Sequence, residues 1–228
     1  VLAKAISIQS KRFAVKFINL MAHETDQKTE IMKSIENQKK VMFSCCHNGV
    51  VDIHLFVSFN NSLFYFFMEL ADSDLRTYFK NNKKDKRKIE ESRCKVWIKS
   101  LSETLLYLHE QQITHGNIKM RNILMFGAGR DQGDPSLKLS DFFKSETHGP
   151  SVSIPIGKVK STDALHFEDS CDSDVLDLYF VFQRILNQTD FKQSNTYDEA
   201  SAIVRQLITL EGDSRTLIKN MLQQNFRN

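Results

Sequence analysis

The sequence lacks any long hydrophobic run. The longest strongly apolar stretch, Leu63 to Met68, is far shorter than the roughly 20 residues that a helix needs to cross a lipid bilayer. No signal peptide is recognisable, and the chain opens inside an apparent strand, as a fragment of a longer protein would. These features predict a cytoplasmic protein with no membrane segment in this chain.

Cysteine and glycine are also scarce. The cysteines Cys45, Cys46, Cys94 and Cys171 are too few for a disulfide scaffold and lack the paired spacing of a metal motif, which favours a reducing, intracellular compartment. The first glycine is Gly49. A glycine-rich loop that cradles phosphates therefore cannot be argued from the start of the chain.

The composition is that of a folded protein. With 228 residues, of which 41% are hydrophobic, the chain can bury a core as one large domain or two small lobes. The net charge of +3 is spread over many residues of both signs, so it requires neither nucleic acid nor an anionic membrane as a partner.

The most informative stretch runs from Ile113 to Leu124. It follows an amphipathic helical pattern over 89–111 and contains His115, Lys119 and Asn122, and after a polar loop comes Asp141-Phe142. This layout resembles the catalytic loop and metal-binding turn of the protein kinases. The resemblance implies an α+β, two-lobed fold. Residues 1–70 would form a small β-rich lobe without its glycine-rich loop, and residues 71–228 a mainly helical lobe without its last helices.

The resemblance also implies roles for these residues. In that family a Lys stabilises the transferring phosphoryl group, and an Asn and a later Asp hold magnesium. Lys119, Asn122 and Asp141 would take these roles. The family's catalytic aspartate is replaced by Asn117, whose neutral amide cannot act as a base, and loss of general-base catalysis typically costs on the order of 100- to 10,000-fold in rate.

The first 38 residues extend the resemblance. Phe13-Ala14-Val15-Lys16 is similar to the family's strand in which Ala covers the adenine and Lys holds the α and β phosphates. A helix is predicted from Asp26 to Gln38. Glu30 on this helix is the candidate partner of Lys16, and Glu24 is the alternative.

The segment from Met68 to Leu75 resembles the hinge between the lobes. Met68 would be the gatekeeper, the backbone of Glu69 and Ala71 would meet the adenine edge, and Asp74 would also contact the nucleotide.

Other positions depart from the family pattern. Gly116 stands where an Arg normally receives the phosphate of the activation segment. Phe143 replaces the Gly after Asp-Phe, which removes a residue that tolerates positive φ. Asp174 is retained, and the resemblance implies that it holds the backbone of the catalytic loop.

The hinge and the run Asp213 to Leu222 are similar to the kinase-homology module of the unfolded-protein sensor ribonuclease and RNase L. The resulting hypothesis is a pseudokinase that binds ATP or ADP with Mg²⁺ as a structural or allosteric ligand and supports self-association or regulation of a partner, including an attached ribonuclease. RNA would be reached only through domains absent here. The alternatives are a weakly active Ser/Thr kinase and a nucleotide-free scaffold.

Overall fold

The computed structural model describes residues 2–8, 11–85, 88–127, 135–148, 161–190, 201–202, 204 and 213–226. The fold is α+β, as predicted: an antiparallel sheet with one long helix comes first, and a mainly helical part follows. Among the described helices none combines the length and the apolar character needed to cross a membrane.

The N-terminal sheet has four strands in the order β1-β2-β4-β3. Its strands are β1 (Leu2–Ile8), β2 (Lys11–Asn19), β3 (Ile53–Phe59) and β4 (Leu63–Glu69). The β3-β4 hairpin turns at Asn60 and Asn61, both with φ of 48°, and asparagine tolerates this left-handed region better than most residues. Adjacent asparagines between two apolar runs are a turn signal in the sequence, and the turn lies at this pair.

Helix α1 (Thr25–Ser44) is longer than predicted. It begins after Glu24, whose side chain makes no capping hydrogen bond, and it continues past Gln38. Its buried face contains Ile35, Gln38, Val41 and Met42. Recurrence at intervals of three and four residues places these side chains along one side of the helix.

The remaining elements among the described residues are short strands and four α-helices. They are β5 (Ser73–Asp74), α2 (Leu75–Lys84), β6 (Ile89–Glu90), α3 (Glu91–Glu110), β7 (Ile113–Thr114), β8 (Ile123–Phe126), β9 (Ser136–Leu139), β10 (Glu146–Thr147), α4 (Ser161–Leu186), β11 (Thr189–Asp190) and α5 (Ser214–Asn225). The amphipathic helical pattern predicted over 89–111 is confirmed by α3, in which Cys94, Trp97, Ile98, Leu101, Leu105 and Leu108 are all buried.

The small strands position the loops between α3 and α4. β8 pairs with β5 on one side and β9 on the other, and β7 pairs with β10. The segment 115–122 therefore spans β7 and β8, while Asp141 follows β9 directly. This arrangement brings the segment 115–122 and Asp141 together, next to Lys16 of the N-terminal sheet.

Candidate active-site cleft

A buried carboxylate holds the start of the catalytic-loop motif. Asp174 of α4 accepts hydrogen bonds from the backbone N–H groups of His115, at 2.7 Å, and Gly116, at 2.8 Å. Its Oδ2 also lies 3.2 Å from Nε2 of His109. The backbone role expected for Asp174 is therefore seen in the structure, and it ties the loop to the helical core.

His115 joins this loop to the segment before Asp141. Its ring is buried, with Nε2 3.1 Å from the carbonyl of Ser140 and Nδ1 accepting the N–H of Asn117 at 3.2 Å. Burial lowers the pKa of His115, although Asp174 acts in the opposite direction. The neutral imidazole suits these contacts, because one nitrogen must donate and the other must accept.

Lys16 brings a buried positive charge to the cleft. Its ammonium lies 2.6 Å from Oδ1 of Asp141 and 2.6 Å from Oε1 of Gln38. Burial lowers the pKa of Lys16, and the charge of Asp141 opposes that shift. The ammonium also lies 4.9 Å from the centroid of the Phe143 ring, a cation–π distance.

The partner predicted for Lys16 is wrong. Glu30 lies eight residues before Gln38 on α1, about 12 Å along the helix axis at the rise of an α-helix. It borders a different cleft together with Lys33 and Gly116. The alternative, Glu24, lies at the N-cap of α1 and is also not the partner. The position that meets Lys16 carries an amide, Gln38, in place of a carboxylate.

Sequence reasoning missed Gln38, although a signal was present. Gln38 is fully buried, and its Nε2 has no hydrogen-bond partner among the described residues. It lies three residues after Ile35 and three before Val41, so it occupies the apolar face of α1. A polar residue in an apolar stripe usually has a specific partner, and the helix had been expected to end at this residue.

Asn117 lies at the centre of a polar network. Its Nδ2 donates to Oδ2 of Asp141 at 3.2 Å, and its Oδ1 accepts from the ammonium of Lys119 at 2.8 Å. Its backbone carbonyl accepts from Nδ2 of Asn122 at 2.8 Å. The residues expected to contact phosphate and metal are thus brought together with Lys16 and the replaced base position.

The oxygen atoms present fit a magnesium ion. Asn122 uses its amide nitrogen for the bond to Asn117, so its Oδ1 can serve as a ligand. Asp141 supplies a carboxylate that is 34% exposed and already paired with Lys16. Hard oxygen ligands of this kind are those that Mg²⁺ prefers, usually one or two from the protein with the remainder from phosphates and water.

The left-handed residue of this turn is Asp141, and the position of the missing glycine does not need positive φ. Asp141 itself has the left-handed conformation, with φ of 67°, and Phe142–Lys144 forms a 3-10 turn. Phe143 is not among the residues with positive φ, so the substitution adds no backbone strain of that kind. Phe142 is fully buried and its ring lies 4.7 Å from that of His115.

Three residues expected to contact the nucleotide lie on one face of the N-terminal sheet. Ala14 pairs with Met68, and Lys16 is two residues along the same strand. Directly paired residues and alternate residues share a face of a sheet, so these three side chains face the same side. Ala71 lies half-buried between β4 and β5.

Two hinge residues have contacts within the protein. The Glu69 amide donates to the carbonyl of Asp52 at 3.1 Å, and its carboxylate pairs with Lys138 at 2.7 Å. Asp74 caps α2: its carboxylate accepts from the amide of Thr77 at 3.0 Å and from its hydroxyl at 2.7 Å. Asp74 therefore has a structural role as helix cap, and its contact with a nucleotide stays a prediction.

Comparison with known proteins gives a consistent result. Residues 2–154 match the family described as "Protein kinase domain". The chain is 33% identical over 143 residues to serine/threonine-protein kinase cds1 of Schizosaccharomyces pombe, covering 60% of this chain and 28% of that protein. It is 24% identical over 143 residues to serine/threonine-protein kinase atg1 of Dictyostelium discoideum, covering 61% and 20%. The chain thus spans less than a third of the length of these relatives.

Proposed function

Because the chain belongs to the protein kinase family, we propose that it is a pseudokinase domain that binds ATP or ADP with Mg²⁺ as a structural or allosteric ligand. The observation that supports this is the convergence of Lys16, Asn122 and Asp141 on one cleft, while Asn117 stands where a base would be needed. The cleft can bind and orient a nucleotide, but it has no carboxylate at the position that accepts the hydroxyl proton.

Different residues of the cleft would bind different parts of the nucleotide. Lys16 and Lys119 would contact the phosphates, Asn122 and Asp141 would hold the metal, and the sheet face with Ala14 and Met68 would cover the base. A bound magnesium ion would neutralise phosphate charge. To bind the metal, the carboxylate of Asp141 would have to release the ammonium of Lys16 or be shared between the two cations. The ion pair seen in the structure therefore competes with metal binding.

Binding would stabilise the fold by mass action. A ligand at a hundredfold excess over its Kd stabilises the native state by roughly 2.7 kcal/mol. This energy would order the elements that meet in the cleft, since residues of α1 and of the Asp141 turn contact Lys16 of β2. Such ordering is what an allosteric ligand needs to act on a partner.

The test is the melting temperature with and without Mg²⁺ and ADP or ATP, supported by calorimetric titration. The wild type should be stabilised, Lys16→Met and Asp141→Asn should lose most of the effect, and Lys33→Met, an exposed lysine on α1, should retain it. A wild type that does not respond would contradict the proposal and favour the scaffold, in which Phe143 remains beside Lys16.

A weakly active Ser/Thr kinase is the second candidate. Both relatives are named serine/threonine-protein kinases, and Lys119 approaches Asn117 within 2.8 Å. Phosphoryl transfer depends strongly on positioning. Radiolabelled autophosphorylation that Asp141→Ala abolishes would support this candidate. Label that survives that substitution would come from a contaminant.

We also propose that the ligand-bound domain acts by self-association or on a regulated partner, including an attached ribonuclease. Leu176 and Phe180 of α4 are 46% and 57% exposed, and they lie one turn apart on the same side of the helix. Analytical ultracentrifugation with and without Mg²⁺ and ADP would detect ligand-dependent assembly. A monomer under both conditions would exclude self-association at the concentrations used.

A further inference from the structure

Three potential metal ligands meet outside the cleft that contains Lys16. They are Glu146 in β10, His148 just after it, and His166 near the start of α4. The carboxylate Oε2 of Glu146 lies 3.5 Å from Nε2 of His148 and 3.7 Å from Nδ1 of His166. One ligand atom from each residue lies within 4.8 Å of the other two.

These separations are close to those of ligands around one zinc ion. Bonds of about 2.1 Å in tetrahedral geometry place neighbouring ligand atoms roughly 3.3 to 3.5 Å apart. Two imidazoles and one carboxylate form a ligand set that zinc uses when three protein ligands leave a fourth position for water. The ligand atoms of the two imidazoles lie within 4.8 Å of each other, so they would have to approach by no more than about 1.5 Å.

Contacts around the cluster restrict Glu146 and His148 more than His166. The backbone N–H of His148 donates to the carbonyl of Gln112 at 2.8 Å, and its ring lies 4.9 Å from the ring of Phe167. Glu146 is held by the pairing of β10 with Thr114 of β7. His166 is 65% exposed at its side chain, so it has the freedom to turn toward a metal.

Two hydroxyl groups would have to adjust. The hydroxyl of Thr114 lies 3.2 Å from Nε2 of His148, and that of Ser170 lies 3.5 Å from Nδ1 of His166. A metal would take the lone pairs of these two nitrogens. Both hydroxyls can rotate, and each can then donate to another acceptor or to water.

We propose that Glu146, His148 and His166 form a binding site for Zn²⁺ or a similar divalent transition metal, with water in the fourth position. The site would fasten the segment that follows Asp141 to helix α4. A cleft of about 530 Å³ bordered by Gly116, Phe143, Glu146 and His166 adjoins it. Metal binding would therefore bias the conformation of the turn that carries Asp141 and Phe143.

Cobalt(II) offers a direct test because its tetrahedral complexes absorb visible light. We expect the whole chain to bind one Co²⁺ with a tetrahedral ligand-field spectrum that Zn²⁺ abolishes by displacement. The exposed thiol of Cys46 is a competing ligand, so the titration uses a Cys46→Ser background. Thiolate charge-transfer bands that persist there would show ligation by another cysteine and would overturn the proposal.

Matched variants locate the site. His166→Ala and Glu146→Gln should each weaken Co²⁺ binding by at least about tenfold, as expected for removal of one ligand, and His23→Ala should leave it unchanged. His166 is exposed, so its variant should fold even if His148→Ala does not. Binding that is absent, or equal in His166→Ala and the wild type, would refute the site. The Co²⁺ titrations contain no nucleotide, so their outcome does not depend on whether the proposed nucleotide site is correct.

Discussion

The side-chain amide of Asn117 donates from Nδ2 to Oδ2 of Asp141 across 3.2 Å. An aspartate at position 117 would bring a second carboxylate to the same distance, and like charges this close oppose simultaneous ionisation. Asn117 therefore does more than remove a base. It turns a repulsive contact into a hydrogen bond and lets the cleft keep its geometry without a metal.

Asn117→Asp should lower the free energy of unfolding by about 1 kcal/mol when no metal is present, since a hydrogen bond is lost and repulsion is gained in a partly exposed site. Mg²⁺ with ADP should restore more stability to this variant than to wild type, because the ion would screen the two carboxylates. Urea unfolding with and without the ligand measures both effects.

Asn117→Ala serves as the matched control for this prediction. It loses the hydrogen bond without gaining a charge, so its response to Mg²⁺ should resemble that of the wild type. Equal ligand responses of the Asp and Ala variants would show that charge repulsion at position 117 is unimportant.

Gln38→Glu should strengthen binding of Mg²⁺ with ADP. Lys16 would gain a second carboxylate, so that Asp141 could leave the ion pair for the metal at lower cost. We expect a gain of about 1 kcal/mol, or about fivefold in Kd, by isothermal titration calorimetry. Glu36→Gln, at an exposed position of the same helix, should leave Kd unchanged. Weaker binding by the Gln38 variant would argue that Asp141 does not leave Lys16.

Asp174→Asn should cost about 2 to 4 kcal/mol of stability. The carboxylate is 1% exposed and accepts two backbone N–H groups, and an amide offers only one oxygen and turns an NH₂ toward these donors. Urea unfolding gives the value. Asp169→Asn, at an exposed position of the same helix, should change stability by no more than about 0.5 kcal/mol. Similar losses in both variants would mean that the contacts of Asp174 contribute little.

Gly116→Ala should destabilise the protein more than Gly127→Ala does. Both glycines have positive φ, 69° and 84°, so either alanine bears the cost of the left-handed region, about 1 kcal/mol. At Gly116 a Cβ would also meet the carbonyl oxygen of Lys144 at 2.5 Å, whereas none of the described residues lies within 4 Å of one at Gly127. The difference between the melting temperatures of the two variants measures the destabilisation due to the clash. Equal melting temperatures would contradict the prediction.

Much of the fold could be predicted from the sequence because local sequence patterns match the elements that form. The Asn60-Asn61 turn and the apolar stripe of α3 can each be identified from residue type and spacing alone. The backbone role of Asp174 could also be inferred, because a resemblance carries over a position together with its contact. These features depend on short-range patterns or on a motif that spans few residues.

The site was harder to predict where a contact depends on where a helix lies on the sheet. Spacing along the chain suggested Glu30 for Lys16, but the packing of α1 decides which turn of the helix faces β2, and it presents Gln38. The cap formed by Asp74 was missed for a related reason. A carboxylate at the start of a helix can cap it, bind a ligand or do both, and the sequence alone does not show its contacts with Thr77.

Acid should destabilise the protein through His115. Burial lowers the pKa of this side chain below its ordinary value of 6.5, so the unfolded chain binds a proton that the native state does not. As the pH falls below about 6.5, stability should therefore drop, with a slope of at most about 1.4 kcal/mol per pH unit from this group. Urea unfolding at several values between about pH 5 and pH 7 gives the slope. His115→Gln, which cannot be protonated, should flatten it, and His23→Gln should not. A slope that is unchanged in His115→Gln would assign the acid sensitivity to other groups.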